Sequence, residues 1–133
     1  MIKLIKTTIY CYVLCKDRNI KIPVEIALTD ANQIRGLKFR KYLHPQYRML
    51  FPGQIDQWII MTMKDVNILL YMVFINTGHR VVDIIEEIPA NYPYQIITKH
   101  KACHVLELNG GFCHSYGIQT GDYIQFKLID GYE

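Results

Sequence analysis

Residues 8–28 read TIYCYVLCKDRNIKIPVEIAL, and their alternation decides the fold class. Successive side chains of an extended chain point to opposite sides. Ile9, Cys11, Val13 and Cys15 therefore share one side, and Tyr10, Tyr12 and Leu14 the other. Lys16-Asp17-Arg18-Asn19 marks a turn, after which Ile20, Ile22, Val24, Ile26 and Leu28 alternate again. The spacing predicts a β-hairpin. Pro23 favours an edge position within it, because proline has no N–H to give to a ladder.

Outward from the hairpin, residues 58–63, 68–75, 81–88, 96–99, 102–108 and 123–128 are apolar or alternating and read as further strands. Asn76-Thr77-Gly78-His79 joins two of them, with Gly78 suited to a left-handed loop position. Thr29 or Asp30 can cap a short helix running to Arg35 and ended by Gly36. Residues 112–116, after Gly110-Gly111, supply one helical turn. Residues 37–54, with Pro45, Pro52 and Gly53, read as a long loop with short pieces of structure, a length that often serves function. The expected architecture is mainly β with one or two short helices (α+β), a small antiparallel barrel-like single domain over residues 1–133.

A chain of 133 residues, half apolar and one fifth charged, can bury a core and is not disordered. The longest apolar run, Ile68 to Ile75, is far shorter than a bilayer-crossing helix, so no membrane association is expected. The start lacks a small-residue cleavage site. With four cysteines, this predicts a cytoplasmic protein with reduced thiols. Twenty isoleucines against four alanines fit an AT-rich genome, that of a phage, a virus or a cell, and the location is then the host-cell cytoplasm for a virus. Net charge is only +3 but uneven: residues 1–64 hold eleven Lys/Arg against four Asp/Glu, and residues 65–133 four against eight.

Several blocks recur in the order of a known family. Val24-Glu25-Ile26-Ala27, Arg35-Gly36-Leu37-Lys38-Phe39-Arg40 and Met49-Leu50-Phe51 are followed by Met63-Lys64 and then by Leu70, Met72, Phe74 and Ile75. Val105-Leu106-Glu107-Leu108-Asn109-Gly110-Gly111 and Gly117-Ile118-Gln119-Thr120-Gly121-Asp122 close the series. Over about residues 22–128 the chain resembles the domain of unknown function 192 family of small bacterial and archaeal proteins. The resemblance implies a small, mostly antiparallel barrel-like fold and an unassigned activity. The chain departs from the family pattern at Thr62, Asp65, Leu69 and Tyr71, where Trp, Asn, Pro and Asp are usual.

Candidate chemistry centres on Glu107, which shares a strand side with Cys103 and Val105. Facing inward, its carboxylate requires a cation or hydrogen-bond partner. Arg35, Arg40 and Lys64 are the available cations, with Asn109 joining the cluster; the alternative is a solvated Glu107 on the outer face. The amides of Gly110 and Gly111 can receive a carboxylate or phosphate, or form a plain turn. His100, Cys103, His104, Cys113 and His114 are zinc-type ligands, but their spacing fits no finger and no metal is expected. Lys38, Arg40, Lys41 and Arg48, interleaved with Phe39, Tyr42, Tyr47 and Phe51, offer an alternative nucleic-acid surface. The only serine is Ser115, and adjacent Cys113 and His114 point apart; no P-loop appears, so no catalytic residue or cofactor is expected. The reading is a non-enzymatic binding or accessory domain that holds a small anionic ligand or a protein partner near Lys64, Glu107 and Asn109 and the 37–57 loop. A nucleic-acid-associated protein comes second and an enzyme of unknown reaction third. Exposed Tyr and Ile on strand edges permit a homodimer as well as a monomer.

Overall fold

In the computed structural model, which describes residues 9–27, 48–110 and 116–129, the alternating stretch forms β1 (Ile9–Cys15) and β2 (Ile20–Ile26). They pair antiparallel, Cys11 opposite Val24 and Val13 opposite Ile22, and all four side chains are buried. A 3₁₀ turn at Lys16–Arg18 joins them, closed by Asn19 in the left-handed region (φ 53°), where asparagine is tolerated best after glycine.

The remaining strands are β3 (Arg48–Phe51), β4 (Ile60–Met61), β5 (Leu70–Ile75), β6 (Val81–Ile88), β7 (Ile96–Ile97), β8 (His104–Asn109) and β9 (Gln125–Leu128). Seven of them form one sheet in the order β6-β5-β8-β3-β2-β1-β9, and β4 pairs with β7 in a separate two-stranded ribbon. Every residue of β5 is buried, because a core lies on each face of the sheet. This explains why the stretch reads as one continuous apolar run rather than an alternating one. Tyr71, Val73, Ile75, Leu106 and Leu108 face one core with Val13, Val24 and Ile124. Leu70, Met72, Phe74, Val105 and Met49 face the other, where Met63, Ile68 and Ile96 cover them.

Several expectations require correction. The sheet is mixed rather than purely antiparallel, since β2 and β3 run parallel through Glu25–Met49 and Ile26–Leu50. A parallel pair cannot be joined by a tight turn, and β2 ends at Ile26 whereas β3 begins at Arg48. Part of the expected long loop is β3, a strand inside the sheet. Its short sequence shows no alternation because Met49 and Leu50 are both buried, one on each face. Pro23 is not on an edge strand; β3 pairs only with Glu25 and Ile26, so the proline escapes any ladder on that side. In the β5–β6 hairpin the left-handed residue is His79 (φ 63°), not Gly78. The strands expected at residues 58–63 and 96–99 contract to two residues each. The helices expected at residues 29–35 and 112–116 fall outside the described residues, except for Tyr116. Among the described residues, no helix is long and apolar enough to cross a membrane.

The sheet is not closed by a continuous ladder, but its two edges meet at one corner. The N–H of Val81 donates to the Asp122 carbonyl (3.0 Å), that of Gly121 to the Val81 carbonyl (2.8 Å), and that of Ile124 to the His79 carbonyl (2.8 Å). The Asp122 carboxylate, 8% exposed, ties the β1–β2 turn to the same corner. It accepts Arg18 Nε (3.1 Å) and Nη2 (3.2 Å) and the backbone N–H of Gln119 (2.9 Å). Burial raises the carboxyl's pKa, but the Arg18 and Gln119 hydrogen bonds outweigh it and hold it below the ordinary carboxylate range. Its stabilising contribution is therefore present at neutral pH and lost as pH falls through that depressed value. Arg18 is 36% exposed, so solvent screens the ion pair. Asp122→Ala is expected to lower stability by about 1–3 kcal/mol, read as a lower urea midpoint at unchanged m-value.

Candidate functional site

Strand β8 places its side chains alternately on the two cores. His104, Leu106 and Leu108 point one way, while Val105, Glu107 and Asn109 point the other, continuing from Cys103. Glu107 lies between Met49 of β3 and Met72 of β5, each directly opposite it in the register. It is 4% exposed. Burial alone pushes its pKa up to about 8, with no described cation opposing the shift. The acid is therefore held neutral at pH 7, and a protonated carboxyl is a hydrogen-bond donor as well as an acceptor.

Next along the same side is Asn109, also buried, whose Oδ1 accepts a short hydrogen bond from the Tyr116 hydroxyl. Burial raises the pKa of that hydroxyl, and the nearby Arg48 charge lowers it by less. Arg48 itself pairs with Leu108, so it leaves β3 toward the face opposite Glu107. Its Nε is buried without a hydrogen bond.

In the other direction along β8, Cys103 and Val105 floor a cleft of about 290 Å³ walled by Phe51, Pro52, Gly53, Ile59 and Met61. Gly53 is obligatory there, because a Cβ would sit 2.3 Å from the Cys103 carbonyl oxygen. Its N–H donates to His104 Nδ1 (3.1 Å), which fixes that nitrogen as the unprotonated one. Burial lowers the His104 pKa, with the His79 charge adding to it and Asp56 opposing. Burial raises the Cys103 thiol, as does the Asp56 carboxylate, against a smaller lowering by the Gly53 N–H. Cys103, which lines the cleft, and Glu107, farther along the same side of β8, are both shifted toward their neutral forms.

The expected cluster is assembled in part. Glu107 and Asn109 share one side of β8 and both are buried. Lys64 is exposed, with its backbone N–H on Thr62 Oγ1 (3.2 Å), and it does not act on the Glu107 carboxyl. The Gly110 N–H donates to the Leu69 carbonyl (2.8 Å), so this amide is already occupied. Arg35, Lys38, Arg40, Lys41 and Gly111 lie outside the described residues. Cys103 and His104 face opposite sides, His100 is exposed, and no three His, Cys, Asp or Glu side chains are grouped for a metal among the described residues. Cys113 and His114 are outside them. Of the departures from the family pattern, Tyr71 is a fully buried core residue on the face away from Glu107, its ring 5.9 Å from that of Tyr116. Asp65 occupies a left-handed position (φ 61°), which Asp and Asn both tolerate. Sequence reasoning missed Met49 and Met72 as the neighbours of Glu107, and the cleft that Cys103 and Val105 line. The Pro52-Gly53 pair next to Met49-Leu50-Phe51 was the available signal for the cleft.

The family model for domain of unknown function 192, described as an uncharacterized ACR, matches residues 13–126. A crystal structure from Sinorhizobium meliloti, described as a "putative transcription regulator", is similar at TM-score 0.79 and 24% identity, over 93% of this chain and 97% of that one. A protein of unknown function from Novosphingobium aromaticivorans is similar at TM-score 0.74 and 25% identity, over 89% of this chain and 84% of that one. No curated protein matches the chain.

The Glu107 environment predicts a pH effect. Between the ordinary carboxyl pKa of 4.5 and about 8, the unfolded chain gives up a proton that the folded one keeps. Stability therefore falls as pH rises through this window, by roughly tenfold in the folding constant per pH unit. His104 acts oppositely, since its depressed pKa makes stability rise with pH up to its ordinary 6.5. Urea unfolding of the wild type and Glu107→Gln at pH 5, 6.5 and 8 separates the two. The difference between the proteins is expected to grow steadily in favour of the glutamine variant.

Proposed function

Because the chain belongs to the domain of unknown function 192 family, an uncharacterized one, we propose that it is a small non-enzymatic binding or accessory domain. Its ligand seat is the side of β8 that carries Cys103, Val105, Glu107 and Asn109, and its ligand is a small anion with an apolar body. One observation carries this reading: a carboxyl buried between Met49 and Met72 whose pKa burial raises to about 8, which favours the protonated form at neutral pH. A hydrogen bond to a ligand oxygen would offset part of the cost of burying this polar group. A neutral Glu107 donates to a carboxylate or carbonyl oxygen without repelling it. The apolar cleft on the same side of β8, lined by Cys103 and Val105, is about 290 Å³, near the lower end of the size range for small-molecule sites.

The neutral thiol of Cys103 supports recognition rather than nucleophilic attack, since the thiolate is the reactive form. Arg35 and Arg40 remain the cations proposed to complete the charge balance. A cytoplasmic location belongs to the same reading, supported by the free thiols of Cys11, Cys15 and Cys103. The regulator from Sinorhizobium meliloti lends the chain its fold alone at that identity.

Thermal-shift titrations with butyrate and benzoate test the seat. A ligand at a hundred times its Kd adds about 2.7 kcal/mol of stability, enough to read. Wild-type affinity is expected to fall about tenfold from pH 7 to pH 9, as Glu107 ionises above its pKa of about 8. Glu107→Gln, which keeps a donor, is expected to bind with no such pH dependence, and Glu107→Ala to lose binding. Equal shifts for Glu107→Ala and wild type would defeat the reading.

A further inference from the structure

The β4–β7 ribbon leaves large apolar side chains in water. Trp58, the chain's only tryptophan, is 57% exposed, and the directly paired Ile60 and Ile97 are 57% and 55% exposed. The Thr98 N–H donates to the Ile59 carbonyl (3.2 Å), which extends the pairing by one residue before Gln57 bridges Ala102. The other side of the ribbon, with Ile59, Met61 and Ile96, packs on the sheet. Patches of this kind mark interaction surfaces.

The patch continues into a groove of about 340 Å³ between β7 and the edge strand β6, floored by Ile85, Ile88 and Ile96. Tyr92 lines it and meets Tyr94 edge-on, with ring centroids 5.5 Å apart. Glu86 and Glu87 stand on its rim as a β-bulge: Ile85 pairs with Met72 and Ile88 with Leu70, so two glutamates oppose Tyr71 alone, and Glu87 is left-handed (φ 52°). A bulge carrying charges blocks strand addition to β6, which leaves face-to-face packing as the way to cover the patch.

Charge placement selects the occupant. The exposed Lys99-His100-Lys101 run makes one end basic, and the Lys99 N–H on Asp83 Oδ2 (3.2 Å) locates that end beside the start of β6. The Asp83 carboxylate is engaged by this amide and by the N–H of Ile84 (2.9 Å). Glu86 and Glu87 make the far end acidic. An anionic membrane requires cations throughout, and a partner of one charge sign suits only one end. An apolar centre between a basic and an acidic end is complementary to itself under a two-fold axis.

We infer that the outer face of the β4–β7 ribbon, centred on Trp58, Ile60 and Ile97, packs against the same face of a second copy of this chain, with Lys99 of each protomer against Glu86 and Glu87 of the other. The pairing is independent of the Glu107 seat. Sedimentation equilibrium and Trp58 fluorescence over about 1 μM to 1 mM test it on the full chain. The expected result is a dimer whose formation shifts Trp58 emission to shorter wavelength. Lys99→Glu is expected to raise the dimer Kd about tenfold, as is the double change Glu86→Lys/Glu87→Lys. Combining all three is expected to restore the wild-type value. These positions are exposed, and circular dichroism verifies that each variant folds. A monomer across the whole range, emission that does not change with concentration, or a triple variant no tighter than its parents would overturn the pairing.

Discussion

Burial of the central strands from both sides is the constraint on which the rest of this structure depends. Strands β5 and β8 lie between two apolar cores, so every side chain they carry must be apolar or find a partner within the protein. Tyr71 meets the requirement with its hydroxyl 3.5 Å from the Ile118 carbonyl, and Asn109 through the Tyr116 hydroxyl. Glu107 meets it by staying protonated. A carboxyl in an ordinary one-sided sheet could turn to water; between Met49 and Met72 it cannot.

The same constraint explains the margins. A seven-stranded sheet with two covered faces has two edges to protect. One corner brings the edges together through Val81, Gly121, Asp122 and Ile124, anchored by Arg18 from the first hairpin. Along the rest of β6, the Glu86-Glu87 bulge does the work of protection. The ribbon of β4 and β7 covers the Met49–Met72 face from outside, and being only two residues per strand it has no further layer to hide Trp58, Ile60 and Ile97.

Much of this was legible in the residues. The first hairpin follows from period-two spacing, the β5–β6 pair from an apolar run and a turn, and the shared side of Cys103, Val105 and Glu107 from alternation, while the motif blocks indicate the family that the match over residues 13–126 shows. The illegible parts have physical causes. Arg48–Phe51 carries no alternation because both of its sides are covered. The Gly110 amide looked free until the Leu69 carbonyl came beside it from β5's approach. Lys64 looked like a partner for Glu107 because a long flexible cation can reach many positions, yet it lies in an exposed turn between β4 and β5.

What the sequence determined alone is local: which side of each strand is apolar, where turns fall, and that the side of β8 holding Cys103, Val105 and Glu107 is one surface. Side-chain alternation is a property of a single extended chain and needs no neighbour. The tertiary structure alone decided the parallel seating of β3, the placing of Met49 and Met72 on either side of Glu107, and the neutral state of that acid. Those depend on register between strands far apart in the chain and on how much water reaches a group, and neither quantity exists until the sheet has formed.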